Sequence, residues 1–318
     1  MRLRWWVIPI VVVWLAWRNS ADQPLDLTAG STKETFGFLD RTSGRFVERA
    51  PDGVEKREVR VEVGKDARVV GSNRGTSLLW QDGRKVALAP VDDPGDKEQF
   101  GKRVERLCTQ TASTRTMFGA AWVERDGAIW ILRGYSYDAN PARATLVASE
   151  LEAADPFCAV TNAVDDLVLL YRFGNHTEII RCEDNRDCGR PRKVALPSGD
   201  DILGIGCTEQ FCVIATRSRK GVTTLTWIDG KDKVLARREL PACKDSGVTL
   251  AGQDRHVAIG YSNGPSPVVD TTDEPGTLVP VFVGEGDANT TPVVAWWEST
   301  LQLAFQRDGA MGFARFTF

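Results

Sequence analysis

Histidine is the scarcest residue of this sequence, because only His176 and His256 occur among 318 residues. Two isolated histidines are poor material for a multi-histidine metal site, and neither stands beside a recognisable orienting partner for a general base. We therefore interpret both histidines as structural residues.

Helical periodicity is also nearly absent. The segment 97–107 (KEQFGKRVERL) is the exception: it predicts one or two turns of helix, because Phe100, Val104 and Leu107 fall on one helical face. Elsewhere, short apolar or alternating runs are interrupted by Gly, Pro, Asp and Asn, a pattern typical of many short strands. The sequence therefore predicts an all-β domain.

The N-terminus carries the one long hydrophobic run. Arg2 and Arg4 precede an uninterrupted apolar stretch over residues 5–17, and a polar segment follows it. This pattern predicts a signal peptide or an uncleaved signal anchor over residues 1–21, with possible membrane attachment through residues 5–17. Residues 22–33 are predicted to be a polar tether. The expected location is therefore exported: periplasm, cell envelope or extracellular space, with anchoring in the inner membrane as an alternative.

All seven cysteines lie after this segment, from Cys108 onward. Cysteines in an exported protein favour disulfides, and two local pairs are expected, Cys182 with Cys188 and Cys207 with Cys212. Neither spacing is the C-x-x-C of a zinc or redox site. The remaining cysteines form an odd set whose pairing the sequence leaves open: Cys108, Cys158 and Cys243.

Strand cores recur along the chain at intervals of about 40–45 residues in most cases, which is the length of a four-stranded propeller blade. They begin at Leu78, Ile129, Leu167, Cys212, Val257 and Leu301. Asp-Gly turns, as at Asp126-Gly127 and Asp308-Gly309, suit the hairpins that join such strands. Over residues 34–318 the chain resembles the β-propellers, which implies six or seven four-stranded blades. A pair of β-sandwiches is the alternative.

Ring closure is expected to pair the two ends of this domain. The last strand, GFARFTF (312–318), would receive REVRVEV (57–63) as its fourth partner, giving six blades without exposed sheet edges. The hairpin at 37–50 would then be the remnant of a seventh blade.

Catalytic motifs fail against their sequence context. Gly260-Tyr261-Ser262-Asn263-Gly264 has the spacing of a nucleophile elbow, but prolines follow it and no histidine lies after Ser262. The signatures of the WD40, kelch and sialidase propellers are absent. Carboxylates in predicted turns are the remaining candidates for chemistry around a channel: Asp165, Asp166, Asp200, Asp201 and Asp254. Calcium is conceivable at residues 92–96 or 184–187, although neither has an EF-hand spacing.

Tryptophan offers the best candidate for binding. Trp296 and Trp297 are adjacent in a predicted strand, so their side chains should face opposite sides, and one could be an exposed platform for a sugar or a peptide. The net charge of −3 gives no reason to expect a nucleic acid partner. The leading hypothesis is a binding or scaffold module for a protein or glycan. The alternative is a propeller hydrolase or lyase that uses channel-facing carboxylates.

Overall fold

The computed structural model describes the chain from residue 26 to residue 318. The residues it leaves undescribed within that range are 33, 65, 73, 109, 114–116, 136–141, 149–157, 164–165, 174–175, 184–187, 198–199, 243–246 and 286–289. The predicted signal segment 1–21 and the attachment through residues 5–17 lie outside the described residues. Within them, no helix has the length and apolar character needed to cross a membrane.

The described strands form seven separate antiparallel sheets. Blade 1 contains β1 (Leu27–Ser31), β2 (Phe36–Asp40), β3 (Arg45–Arg49) and β4 (Glu55–Arg60). Blade 2 contains β5 (Arg68–Ser72), β6 (Gly75–Asp82), β7 (Lys85–Pro90) and β8 (Glu98–Phe100). Blade 3 contains β9 (Val104–Leu107), β10 (Ala112–Ser113), β11 (Met117–Glu124), β12 (Ile129–Tyr135) and β13 (Arg143–Ala148). Both β9 and β10 pair with β11, as two pieces of one innermost strand.

Four further sheets complete the set. Blade 4 contains β14 (Cys158–Ala163), β15 (Asp166–Phe173), β16 (His176–Cys182) and β17 (Arg192–Val194). Blade 5 contains β18 (Asp201–Cys207), β19 (Phe211–Arg217), β20 (Thr223–Asp229) and β21 (Val234–Leu240). Blade 6 contains β22 (Val248–Gln253), β23 (His256–Asn263), β24 (Ser266–Thr272) and β25 (Val279–Val283). Blade 7 contains β26 (Val293–Trp297), β27 (Thr300–Arg307) and β28 (Ala310–Thr317) among the described residues.

The sheets form a closed ring, because the innermost strand of each blade contacts that of the next, and β26 contacts β1. Seven hydrophobic clusters occupy the seven junctions between neighbouring blades. Burial of their side chains provides the main stabilisation, at about 1.5–3 kcal/mol for a large apolar side chain. The chain is a seven-bladed β-propeller.

Small residues let the innermost strands approach one another. A Cβ on Gly252 would lie 1.7 Å from the carbonyl oxygen of Cys207, and one on Gly30 would lie 2.4 Å from that of Val69. Gly71 approaches Ser31 in the same way, so β1 and β5 run in the same direction. These strands therefore define two faces: a front face, where the innermost strands begin, and a back face, where they end.

The structure corrects three predictions about blade 1 and the ring. The predicted tether contains β1, whose small residues suit an innermost strand but lack an alternating pattern. The hairpin at 37–50 belongs to a complete blade, so the ring has seven blades and not six. The segment 57–63 does not pair with β28: β4 pairs with β3 across a tight turn in which Gly53 has a φ of 88°. A local hairpin costs less loop entropy than a pairing between distant segments.

The predicted helix over 97–107 is also wrong. The segment forms β8 and β9, and the two are separated by Gly101, whose φ of 77° no helix accommodates. The residues of the predicted helical face lie in strands instead: Leu107, for example, pairs with Trp122 of β11. The pairing of neighbouring strands therefore overrides a short periodic pattern.

Candidate functional site

The centre of the ring contains a cavity of about 220 Å³. Its lining consists of apolar residues that range from glycine to leucine and Trp296, together with hydroxyl and amide side chains and two arginines, and no described Asp, Glu or His contributes to it. The polar side chains that line it are Thr28, Gln110, Thr111, Ser113, Thr161, Asn162 and Thr249, with Arg41 and Arg68.

Residues 110–113, which we name the hub, reach from blade 3 to five other blades. The Gln110 side chain donates to the carbonyl oxygens of Ile205 and Leu250, the latter at 3.2 Å, and its Oε1 accepts from the Ile205 amide at 3.0 Å. Its carbonyl oxygen accepts from the amide of Val160 at 3.1 Å. One residue thus ties blade 3 to blades 4, 5 and 6.

Ser113 makes the matching contacts on the other side of the ring. Its hydroxyl accepts from the amides of Ser31 at 3.1 Å and Gly71 at 3.2 Å, and donates to the Ser31 carbonyl oxygen at 3.1 Å. Ser31 lies in blade 1 and Gly71 in blade 2, whereas Gln110 is bonded to blades 4, 5 and 6. Because these bonds reach both sides of the ring, the hub crosses the channel and obstructs it. Buried polar groups that are satisfied in this way stabilise one arrangement of the chain.

Three disulfides are present in the described part of the chain, and one of them lies beside the hub. Cys108, just before the hub, is bonded to Cys158 at the start of blade 4. The two short-spaced pairs are also bonded, Cys182 with Cys188 in blade 4 and Cys207 with Cys212 in blade 5. Cys243 lies outside the described residues. Three disulfides are typical of an oxidising, extracytoplasmic compartment.

The front mouth of the channel is basic and partly neutralised. Arg41 forms an ion pair with Asp26, and Arg68 donates to the carbonyl oxygen of Asp66 at 2.6 Å. Burial, together with the nearby charge of Arg41, lowers the pKa of Arg68 to about 10. Arg68 therefore remains cationic at neutral pH.

The tryptophans predicted as a platform lie at the back face, at the end of β26. Trp296 is only 3% exposed and donates from its indole nitrogen to the Ala251 carbonyl oxygen at 2.9 Å. Its ring lies 5.2 Å from that of Phe318 and 6.1 Å from that of His256. Trp297 is partly exposed. The back face therefore carries an aromatic rim on both sides of β26: His256 and Phe318 lie beside the buried Trp296, and Trp297 lies on the other side, against the cluster between blades 7 and 1.

The carboxylates predicted to act together are placed on opposite faces. Asp166 and Asp254 lie in back-face turns of blades 4 and 6, whereas Asp200 and Asp201 lie at the front end of blade 5. Asp165 is outside the described residues. No group of three His, Cys, Asp or Glu side chains in the described part of the chain could hold a metal ion.

The two calcium candidates have different outcomes. In the segment 92–96, the carboxylates of Asp92 and Asp96 form ion pairs with Arg57 and Arg74. The segment 184–187 lies outside the described residues.

Ser262 is not a nucleophile in this fold. It is fully buried in β23, and its hydroxyl donates to the Thr290 carbonyl oxygen at 2.8 Å. The strand β24 follows it, where a hydrolase would have a helix. The GYSNG motif is therefore a strand end.

Sequence reasoning missed two tyrosine–carboxylate pairs, one partly buried and one buried. The Tyr171 hydroxyl donates to Glu178 at 2.6 Å, and the other oxygen of Glu178 lies 2.9 Å from Nε2 of His176. The Tyr261 hydroxyl donates to Asp270 at 3.0 Å. Burial raises the pKa of both tyrosines and of Asp270. The tyrosines belong to the hydrophobic clusters between blades, so these pairs stabilise the junctions.

Comparisons with known proteins support the fold and no specific family. No protein-family model and no curated protein matches the chain. Solved structures match at low identity. A streptogramin B lyase is 12% identical, with a TM-score of 0.55 and 98% of each chain covered. The WD40 repeats of RRP9 are 11% identical, with a TM-score of 0.58 and 96% of each chain covered.

A hydrazine synthase of Kuenenia stuttgartiensis gives a similar match, at 10% identity and a TM-score of 0.58, covering 95% of this chain and 99% of that one. These neighbours include enzymes and a WD40 scaffold. At such identities they show the propeller fold alone, since propellers support many unrelated functions.

Proposed function

We propose that this propeller is an exported binding module that presents its loops to a protein or glycan ligand and does not transform it. The observation that carries the proposal is the obstructed channel, which the hub crosses and which no described carboxylate or histidine lines. Ligand contacts then belong to the loops of the two faces, where rigid scaffolds usually place them.

The back-face aromatic rim favours binding of a ligand that has an apolar or planar surface. Phe318 is 46% exposed, and its ring lies 5.4 Å from that of His256. Exposed aromatic rings stack on sugar faces and peptide side chains, and they lose little conformational entropy on binding. Trp296 packs beneath Phe318 and His256 and is itself nearly fully buried.

Export is supported by the disulfides and by the charged, then apolar, N-terminal segment. A secreted or envelope protein meets glycans and other surface proteins. The choice between a free and an anchored form depends on residues 5–17.

The proposal is tested by applying the full chain to arrays of immobilised glycans and peptides, and by analysing each bound ligand by mass spectrometry after prolonged incubation. We expect saturable binding and recovery of the ligand unchanged. Trp297→Ser should weaken binding at least about tenfold, equivalent to about 1.4 kcal/mol. Trp130→Ser is the matched control, because Trp130 is also partly exposed but lies on blade 3.

Conversion of any bound ligand to a shorter or rearranged product would overturn the proposal. The lyase or hydrolase alternative would then hold, and replacement of Asp166 or Asp254 should abolish the turnover. Binding that both tryptophan variants retain would place the ligand away from the back-face rim.

A further inference from the structure

Three arginines converge at the front face between blades 2 and 3. Arg84 lies in the turn between β6 and β7, Arg103 just before β9, and Arg125 in the turn between β11 and β12. Together with Val104 and Glu105 they line a cavity of about 420 Å³, which we name the arginine cleft. It is separate from the channel and from the back-face rim.

The backbone fixes the spacing of these residues. The amide of Val104 donates to the carbonyl oxygen of Arg84 at 2.9 Å, and the amide of Arg125 donates to that of Arg103 at 3.0 Å. The side-chain amide of Gln81 bridges the carbonyl oxygens of Gly83 and Glu105. Three separate segments are therefore held in one place, with buried Val104 beneath them.

The positive charges of the cleft exceed the negative charge in its lining, which has three arginines and one glutamate. Elsewhere in the described chain many arginines form ion pairs, including Arg45 with Glu58, Arg57 with Glu48, and Arg192 with Asp232. Arg84, Arg103 and Arg125 are exposed and form no ion pair with a described residue, and Glu105 is the single carboxylate in the lining. Of the nearby acidic residues, Asp82 is engaged by Lys97 and Gln99.

Like charges that are held close together repel one another, and an anion that binds between them offsets this electrostatic repulsion. Guanidinium groups are planar forks that suit the oxygens of a phosphate or sulfate group, which they bind through paired charge-assisted hydrogen bonds. A cavity of this size exceeds one such group and leaves room for a small organic body beside it.

We propose that the arginine cleft binds the phosphate or sulfate monoester group of a small ligand such as a sugar ester, with Arg84, Arg103 and Arg125 contacting its oxygens. The site lies on the face opposite the aromatic rim and does not depend on the ligand bound there. It gives the propeller a second, charge-selective binding surface.

The experiment is isothermal titration of the full chain at low ionic strength with four probes: inorganic phosphate, inorganic sulfate, glucose 6-phosphate and glucose. We expect both the free anions and the ester to bind, the ester more tightly, and glucose not to bind. The relative affinities of the free anion and the ester distinguish a bare-anion site from a site for an esterified ligand. Affinity should fall as salt rises, since exposed charges are screened over about 8–10 Å at physiological ionic strength.

Each single replacement, Arg84→Ser, Arg103→Ser or Arg125→Ser, should weaken binding by about tenfold, the loss expected for one charge-assisted contact. The triple variant should bind no probe, while its melting temperature stays close to that of the parent because the three side chains are exposed. Arg219→Ser is the matched control: Arg219 occupies the corresponding front-face turn of blade 5, between β19 and β20, and is also exposed.

Any one of three results would overturn the proposal. The first is that none of the charged probes binds the parent chain. The second is that the triple variant binds glucose 6-phosphate as tightly as the parent, and the third is that Arg219→Ser weakens binding as much as a cleft variant does.

Discussion

Two parts of the ring are held together by different means. The arc of blades 3 to 5 carries all three disulfides of the described chain, and Cys108–Cys158 anchors the hub to it. The seam between blades 7 and 1 has no disulfide among its described residues, and blade 7 has three described strands. Covalent bonds restrain the unfolded arc as well as the folded one, whereas the described part of the seam depends on noncovalent contacts.

The seam closes through an aromatic contact and a few long-range hydrogen bonds. The rings of Phe38 and Phe313 meet edge to face at 5.3 Å, and the guanidinium of Arg49 lies 4.4 Å from the centre of the Phe313 ring. The Gln302 side chain donates to the Ala50 carbonyl oxygen at 2.7 Å. We infer that the ring opens first at the seam, while Cys108–Cys158 keeps the hub joined to the arc.

The largest expected loss of stability follows from removing a disulfide of the arc. Replacing Cys108 and Cys158 together by serine should lower the free energy of unfolding by about 4 kcal/mol, because this disulfide closes a loop of 50 residues. The same change at Cys207 and Cys212, which are five positions apart, should cost about 2 kcal/mol. Urea denaturation of both variants measures the difference, and equal losses would contradict the comparison.

The next effect is at the seam. Phe313→Ala should cost about 3 kcal/mol, since the side chain is buried between blades 7 and 1. In this variant, amide hydrogen exchange should become faster mainly in β26 to β28 and in β1. Phe118→Ala, in the cluster between blades 2 and 3, is the control: it should cost a similar amount without a rise confined to the seam. Faster exchange confined to the arc in the Phe313 variant would contradict the inference.

A smaller effect is expected in the hub. Gln110→Ala leaves the backbone groups of Ile205 without their partner and should cost about 2 kcal/mol, the penalty for unsatisfied buried polar groups. Gln81→Ala also removes two bonds to carbonyl oxygens, but from a more exposed position, so it should cost less than about 1 kcal/mol. Thermal or chemical unfolding of the two variants compares them, and a harmless Gln110 replacement would show that the hub does not stabilise the ring.

The smallest effect is a pH dependence between blades 5 and 6. Burial raises the pKa of Asp270 above its ordinary value of 3.8, so the folded state favours the protonated carboxyl. Its contribution to stability is therefore present at low pH and is lost as the pH rises through its folded-state pKa. Asp270→Asn keeps an acceptor for Tyr261 and removes the charge, so it should be more stable than the parent at pH 7. Parallel denaturation curves at pH 4 and pH 7 test this, and a parent that gains stability relative to the variant at pH 7 would contradict it.

The sequence predicts the repeated part of the fold because hairpins are local. Strand cores such as those at Leu167 and Val257 recur with Asp-Gly turns between many of them, and short-range hydrophobic patterns suffice to locate them. Blade 1 was harder to recognise. Its innermost strand, Leu27–Ser31, is short and made of small residues, because β1 must approach β5 closely.

The candidate sites escape sequence reasoning because tertiary contacts create them. Gln110 meets Ile205 and Leu250 at separations of 95 and 140 residues, and nothing in the local sequence indicates either partner. The arginine cleft assembles from three unrelated turns. The Trp296-Trp297 pair was recognisable, but the neighbours that bury Trp296 come from blade 6 and from Phe318.

The measurement that tests the central claim most directly is amide hydrogen exchange at the hub of the full chain. The amides of Ser31, Gly71, Val160 and Ile205 donate to hub oxygens. If the channel is obstructed as described, these amides exchange as slowly as those in the middle of β15 and β19. Exchange as fast as that of the exposed turns would contradict this account, because it would show that the channel is open. The centre of the ring would then again be a candidate catalytic site.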